Sequence, residues 1–257
     1  MGARAVVGPG RADRADRADR WRLPREALIL AATLVLFARI HAAGHDVVLA
    51  TSNAQRLQAV ELVLRLDLEL AANRWLVDRP GLAVAAVACY GLYYAVLAGV
   101  VLWIAVRRPG SYRRARRVLV TLAGIALLVY WAVPMSPPRF ALPGIVDVVA
   151  STDILGWRAV GSDRGGNQYS AMPSMHVGWS AWAAYALWSA LRDSHPHTRW
   201  AAWLFPALMV GAVIGTGNHY VLDVVGSAVA LGTAILAVTA WERWARQRAG
   251  VLNSSPT

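Results

Sequence analysis

Apolar residues in this 257-residue chain run in long blocks separated by short polar segments rich in arginine. Blocks approaching 20 residues predict membrane-spanning helices rather than the briefer amphipathic elements of a soluble domain. Six read as spans: about Ala27–Ala43, Gly81–Val106, Val118–Val133, Pro173–Leu191, Trp200–Gly217 and Tyr220–Trp241. The first resembles the apolar core of a signal peptide, with Ala42-Ala43 where cleavage would fall. Its loss would leave an odd topology, so it is read as an uncleaved span. Between 51 and 79, Glu61, Asp67 and Glu69 alternate with Arg56, Arg65 and Arg74, too many charges for a membrane core. Leu57, Val60, Leu64 and Leu68 recur there at helical spacing, which predicts an amphipathic helix lying on the outer surface. A long loop rich in Pro and Gly follows the third span, from 134 to 172. The expected fold is all-α, a polytopic bundle of six transmembrane helices with one interfacial helix after the first span.

Composition agrees and adds an orientation. The chain is 57% hydrophobic and 16% charged, with a mean hydropathy of +0.40. The net charge of +11 comes from 26 arginines and no lysine. Nucleic acid is not the expected partner, because the arginines cluster at the ends of apolar blocks, as the positive-inside rule requires. With the N-terminus inside, inner segments hold eighteen of the 26 arginines. Both termini are then cytoplasmic in a plasma-membrane protein. Residues 1–26, with three copies of Arg-Ala-Asp from Arg11 to Asp19, read as a basic, disordered cytoplasmic tail. Residues 27–241 form one membrane domain, and 242–257 a cytoplasmic C-terminal tail. Cys89, the single cysteine, cannot form an internal disulfide. Twelve Trp and eight Tyr, many near span ends, suit interfacial anchoring.

Three segments meet at the outer face. Met135-Ser136-Pro137-Pro138-Arg139 leaves the third span. Pro173-Ser174-Met175-His176 opens the fourth and reads as a helix N-terminus with Pro in its first turn, a ready anion site. Between spans five and six, Gly215-Thr216-Gly217-Asn218-His219-Tyr220 leads to Asp223. His219 and Asp223 are four apart and share a helical face. Asp223 is the only acidic residue of its span and needs a partner. Singly, each group has a bland account: Arg139 as a headgroup anchor, His176 as a polar helix end, His219 with Asp223 as a clamp between helices. Together they suit a tetrahedral phosphoryl group, held by an Arg fork and helix-end N–H groups. A neutral His aligned by a carboxylate is a nucleophile, and a second His can protonate the leaving oxygen. There is no Walker-type loop or Cys cluster, and no cofactor or metal is expected. His176, His219 and Asp223 could instead form a two-His, one-carboxylate metal set, but Arg139 and Ser174 suit an anion. A lipid transporter would more often carry internal repeats. His41, His45, His195 and His197 sit in loops or at span ends, where solvation is the default.

These motifs resemble those of the type 2 phosphatidic acid phosphatase superfamily, over roughly residues 52–240. Pro-Pro-Arg, Ala-Met-Pro-Ser-Met-His-Val-Gly-Trp and Thr-Gly-Asn-His-Tyr-x-x-Asp look most like its inositol phosphorylceramide synthase branch. The resemblance implies His219 as nucleophile, Asp223 as its orienting partner and His176 as general acid, with Arg139 and Ser174 holding phosphate oxygens. It implies a lipid substrate in the bilayer and an outward-facing site, with either hydrolysis or transfer of a head group such as inositol phosphate. Two cationic positions of the superfamily are absent. Ala132 stands where its first motif has Lys, and Val213 where its third has Arg. Arg158 and Arg164 in the outer loop are candidates to replace them.

Overall fold

The computed structural model describes residues 46–152 and 168–253, together with positions 28, 31–33 and 35–37. Residues 1–39 and 40–257 form separate compact units. In the first unit the described positions are helical; they belong to the expected first span. Most of that span, the Arg-Ala-Asp tail, and Arg158 and Arg164 lie outside the described residues.

The second unit is built of helices: α1 (Val47–Leu64), α2 (Glu69–Val77), α3 (Pro80–Arg107), α4 (Pro109–Ala132), short turns α5 (Pro138–Ala141) and α6 (Val148–Ser151), then α7 (Met175–Ala190). A 3-10 turn at Thr198–Trp203 runs into α8 (Leu204–Gly215), and α9 (Val221–Asn253) closes the chain. Among the described residues, four stretches are long and apolar enough to cross a membrane: α3, α4, Thr198–Gly215 and α9 as far as Ala249. This is the pattern of a multi-pass membrane protein. The expected fourth span is α7, whose sixteen residues rise roughly 24 Å, short of a ~30 Å hydrocarbon core. It packs against α3, α4, α8 and α9, the innermost helix of the bundle.

Proline starts α3 and α4 at their first positions, where a missing N–H costs nothing. The arginine-rich loop expected up to Arg117 is therefore only Arg108; Arg113 to Arg117 ride the first turns of α4. There Arg114 pairs with Glu242 at 2.6 Å and bonds Thr239 Oγ1 at 2.7 Å and Tyr185 Oη at 3.2 Å. Arg117 also reaches Glu242, at 3.0 Å. This basic end ties α4, α7 and α9 together, at the opposite end of α4 from Pro134–Arg139. The C-terminal tail expected from 242 continues α9 as helix to Asn253.

The single amphipathic helix expected over 51–79 is two helices. The chain reverses at Arg65, in the left-handed region at φ 57°, where Arg65 N–H reaches Leu62 O and Leu66 N–H reaches Glu61 O. That is a Schellman ending with arginine where glycine is usual, so nothing in the composition marked it. The polarity expected of α1 is not kept throughout. Val48 and Val63 are 79% and 83% exposed, while Glu61 is fully buried.

Candidate active site

The site is assembled from three turns cross-linked by backbone. Met135 N–H donates to Tyr169 O and Ala171 N–H to Met135 O, at 2.8 and 3.1 Å, joining the Arg139 segment to the one before α7. Arg139 N–H donates to Gly217 O at 2.9 Å, joining it to the α8–α9 turn. Ser174 N–H donates to Asp223 O at 3.3 Å, and Ser227 Oγ to Ser174 O at 2.7 Å, fastening α7 to α9. All three sequence motifs thus meet at one end of the bundle.

The turn between α8 and α9 winds back on its own helix end. Asn218 N–H and His219 N–H both donate to Val213 O, and Asn218 Nδ2 to Thr216 Oγ1 at 2.9 Å. Gly217 has φ +75°, and a Cβ there would lie 2.6 Å from Ile145 Cγ2, so glycine is required twice over. His219 is presented from this turn, just ahead of α9 rather than on it. Its Nδ1 lies 2.9 Å from Ala171 O and 3.2 Å from Asp223 Oδ2. The first is an acceptor only, and so is an ionised carboxylate, which assigns the ring proton to Nδ1 and leaves the Nε2 lone pair free. Asp223 is fully buried, and its Oδ2 also takes Tyr220 N–H at 2.9 Å.

His176, in the first turn of α7, has its ring 5.6 Å from that of His219. Two tyrosines of α3 hold it: Tyr90 stacks at 4.0 Å and Tyr93 tilts against it at 4.3 Å. Arg139 is braced by Asp147, whose Oδ2 is 3.1 Å from Nε, and by a short bond from Nη1 to Asn218 Oδ1. Among the described residues, Nη2 of Arg139 has no hydrogen-bond partner. Ser174 corrects one expectation: it is the N-cap, so Pro173 precedes the helix instead of occupying its first turn. Its buried hydroxyl accepts from Val177 N–H at 3.4 Å.

Several contributors carry no sequence signal of their own. Ala171 acts through a carbonyl, which no side-chain motif reports. Asn218, Asp147, Tyr90 and Tyr93 act on neighbours distant in sequence; only the placing of Asn218 beside His219 hinted at a role. Val213, where a cation is missing, is fully buried and lends its carbonyl to the turn. Ala132 ends α4 exposed. Neither position leaves a charge beside His219. Among the described residues no group of three or more His, Cys, Asp or Glu is arranged to hold a metal ion.

Glu61 and Glu69, expected on the membrane surface, are instead buried against the start of α9. Glu69 Oε1 accepts from Val221 N–H at 2.9 Å and Glu61 Oε1 from Leu222 N–H at 2.7 Å. They fill part of the set of unpaired donors that every helix start carries. On an unbroken helix the two would stand about 12 Å apart along the axis; the reversal at Arg65 brings both to adjacent amides.

Residues 55–237 match the family model described as PAP2 superfamily. No curated protein and no solved structure matches the chain.

Proposed function

The chain belongs to the PAP2 superfamily, the type 2 phosphatidic acid phosphatases, and we propose that it is a membrane lipid phosphatase or phosphotransferase working through a phosphohistidine. The observation that carries this is the pairing of His219, its Nδ1 held by Asp223 and Ala171, with His176 5.6 Å away. His219 Nε2 attacks phosphorus, the P–O bond to the leaving group breaks, and His176 passes its proton to that oxygen. Water or a lipid hydroxyl then gives a proton back to His176 as its oxygen displaces the histidine, breaking the P–N bond. The Asp223 carboxylate favours the positive charge that grows on the imidazole as it attacks. Arg139, aimed by Asp147 and Asn218, offers Nη2 to a phosphate oxygen. Ser174 contributes the cap of α7 and, once its hydroxyl turns, a further donor.

In this reading the six spans are the first apolar block, α3, α4, α7, Thr198–Gly215 and α9. The arginine-rich end lies in the cytoplasm and the site faces outward. The exposed apolar side chains of α1 suit contact with lipid at the outer interface. Substrates are lipid phosphates or phospholipid head groups, and the same residues serve hydrolysis and transfer to a lipid hydroxyl.

The test is purified protein in mixed micelles with phosphatidic acid, a polyprenyl phosphate, phosphatidylglycerol phosphate and phosphatidylinositol, scoring free phosphate and transferred head group separately. Wild type is expected to trap acid-labile phosphate that chases with unlabelled substrate, and His219→Ala to lose both label and turnover. Turnover retained by His219→Ala would sink the mechanism.

A further inference from the structure

Glu61 and Glu69 meet at the first turn of α9 in an arrangement that phosphoryl transfer does not explain. Three consecutive amides, Tyr220, Val221 and Leu222, each donate to a different carboxyl group: Asp223, Glu69 and Glu61. All three carboxyls are 0–1% exposed. Each keeps a second buried oxygen with no donor among the described residues: Asp223 Oδ1, Glu69 Oε2 and Glu61 Oε2. Because they accept from adjacent amides, the Glu61 and Glu69 carboxyls are close neighbours. Two carboxylates cannot hydrogen-bond each other, and two buried acceptors facing without a donor are costly. One proton between them resolves both problems.

We propose that Glu61 and Glu69 are positioning residues that share one proton, and that this singly charged pair anchors the first turn of α9 and so aims Asp223 and His219. The proposal rests on the phosphohistidine reading for its catalytic consequence, though not for the proton itself. The remaining groups around Glu61 are consistent with it. Asp223 of α9 is a second negative neighbour, and the Tyr220 phenol lies close to both glutamates. Gln58, one turn earlier on α1, offers another unpartnered acceptor, Oε1. Arg139, on the α5 turn that packs on α1, is engaged by Asp147 and Asn218. Burial raises the Glu61 carboxyl to about 8, with Glu69 and Asp223 adding to the rise and the Leu222 bond opposing it. Loss of the proton would put a third full negative charge beside a site that binds phosphate.

The experiment uses the full chain in detergent and has two arms. By infrared difference spectroscopy, wild type should show a protonated-carboxyl C=O band at pH 7 that disappears with a midpoint near 8 and is missing from Glu61→Gln. In turnover, Glu61→Ala should lower kcat about 10–100-fold by misplacing the histidine, with KM nearly unchanged. Glu61→Gln, which keeps an acceptor for Leu222 and gains a donor for Glu69, should recover most of that loss and lack the wild-type fall in rate above pH 8. No protonated-carboxyl band in wild type at pH 7 overturns the proposal, as does an alkaline limb identical in wild type and Glu61→Gln. If no lipid phosphate is turned over, the functional reading fails by itself, and the infrared arm still decides the proton.

Discussion

Asn73 offers a sharp test of how the site is held. It is fully buried on α2, and three of its hydrogen bonds leave that helix. Nδ2 donates to Val146 O and to Gly215 O, both at 2.9 Å, and Oδ1 accepts from Val146 N–H at 2.8 Å. Val146 precedes Asp147, which braces Arg139, and Gly215 opens the turn that presents Gly217, Asn218 and His219. One amide therefore sets the spacing between Arg139 and His219. Asn73→Ala removes one buried and two partly buried bonds and strands two carbonyls and one N–H. At about 1–2 kcal/mol for each, the loss is about 3–6 kcal/mol. Asn73→Asp separates hydrogen bonding from size: it keeps the acceptor for Val146 N–H but sets a carboxylate against two carbonyls. It should therefore be no better than alanine despite its near-identical shape. Equilibrium unfolding in mixed micelles measures the loss, and steady-state kinetics on the folded fraction should show a raised KM as Arg139 drifts. A change below about 1 kcal/mol for Asn73→Ala, or an Asn73→Asp protein as stable as wild type at neutral pH, would refute the reasoning.

Three further outcomes rest on the same geometry. Gly217→Ala meets both the positive φ and the 2.6 Å approach to Ile145; a loss of at least about 1–2 kcal/mol is expected from the backbone alone, with activity falling more than stability because Gly217 O anchors Arg139. Thermal unfolding and turnover on one preparation check it. Tyr90→Leu removes the ring stacked on His176 and should lower kcat about 2- to 10-fold, whereas Tyr90→Phe should stay near wild type, since the ring makes the contact. The raised Glu61 carboxyl also gives stability a pH slope of known sign. The folded state keeps a proton that the unfolded chain releases near 4.5, so this contribution is complete below that pH and is lost as pH rises toward about 8. The unfolding midpoint should fall across that window, and Glu61→Gln should flatten the fall.

The multi-pass helical character was legible because long apolar blocks bounded by arginine have few other physical accounts, and α3 and α9 begin within a residue of where the pattern places them, whereas α4 starts nine residues earlier, at Pro109. The site motifs were legible because His219 and Asp223 are local in sequence, and their contact needs only one turn of chain. What escaped notice was whatever depends on a partner's backbone or on a distant element: the Ala171 carbonyl on Nδ1, Asp147 behind Arg139, and the tyrosines around His176. Glu61 and Glu69 were misplaced for a more instructive reason. Charges in an apolar segment argue for a surface when each charge is weighed alone. A buried helix start, however, carries unpaired N–H groups that must find acceptors. α9 begins after Tyr220, a residue type that does not cap helices, and Asp223 within its first turn satisfies only the Tyr220 amide. Acceptors for Val221 and Leu222 therefore had to come from another segment, and Glu61 and Glu69 supply them. Counting the donors at the start of α9 turns the apparent surface charges of α1 and α2 into parts of the site.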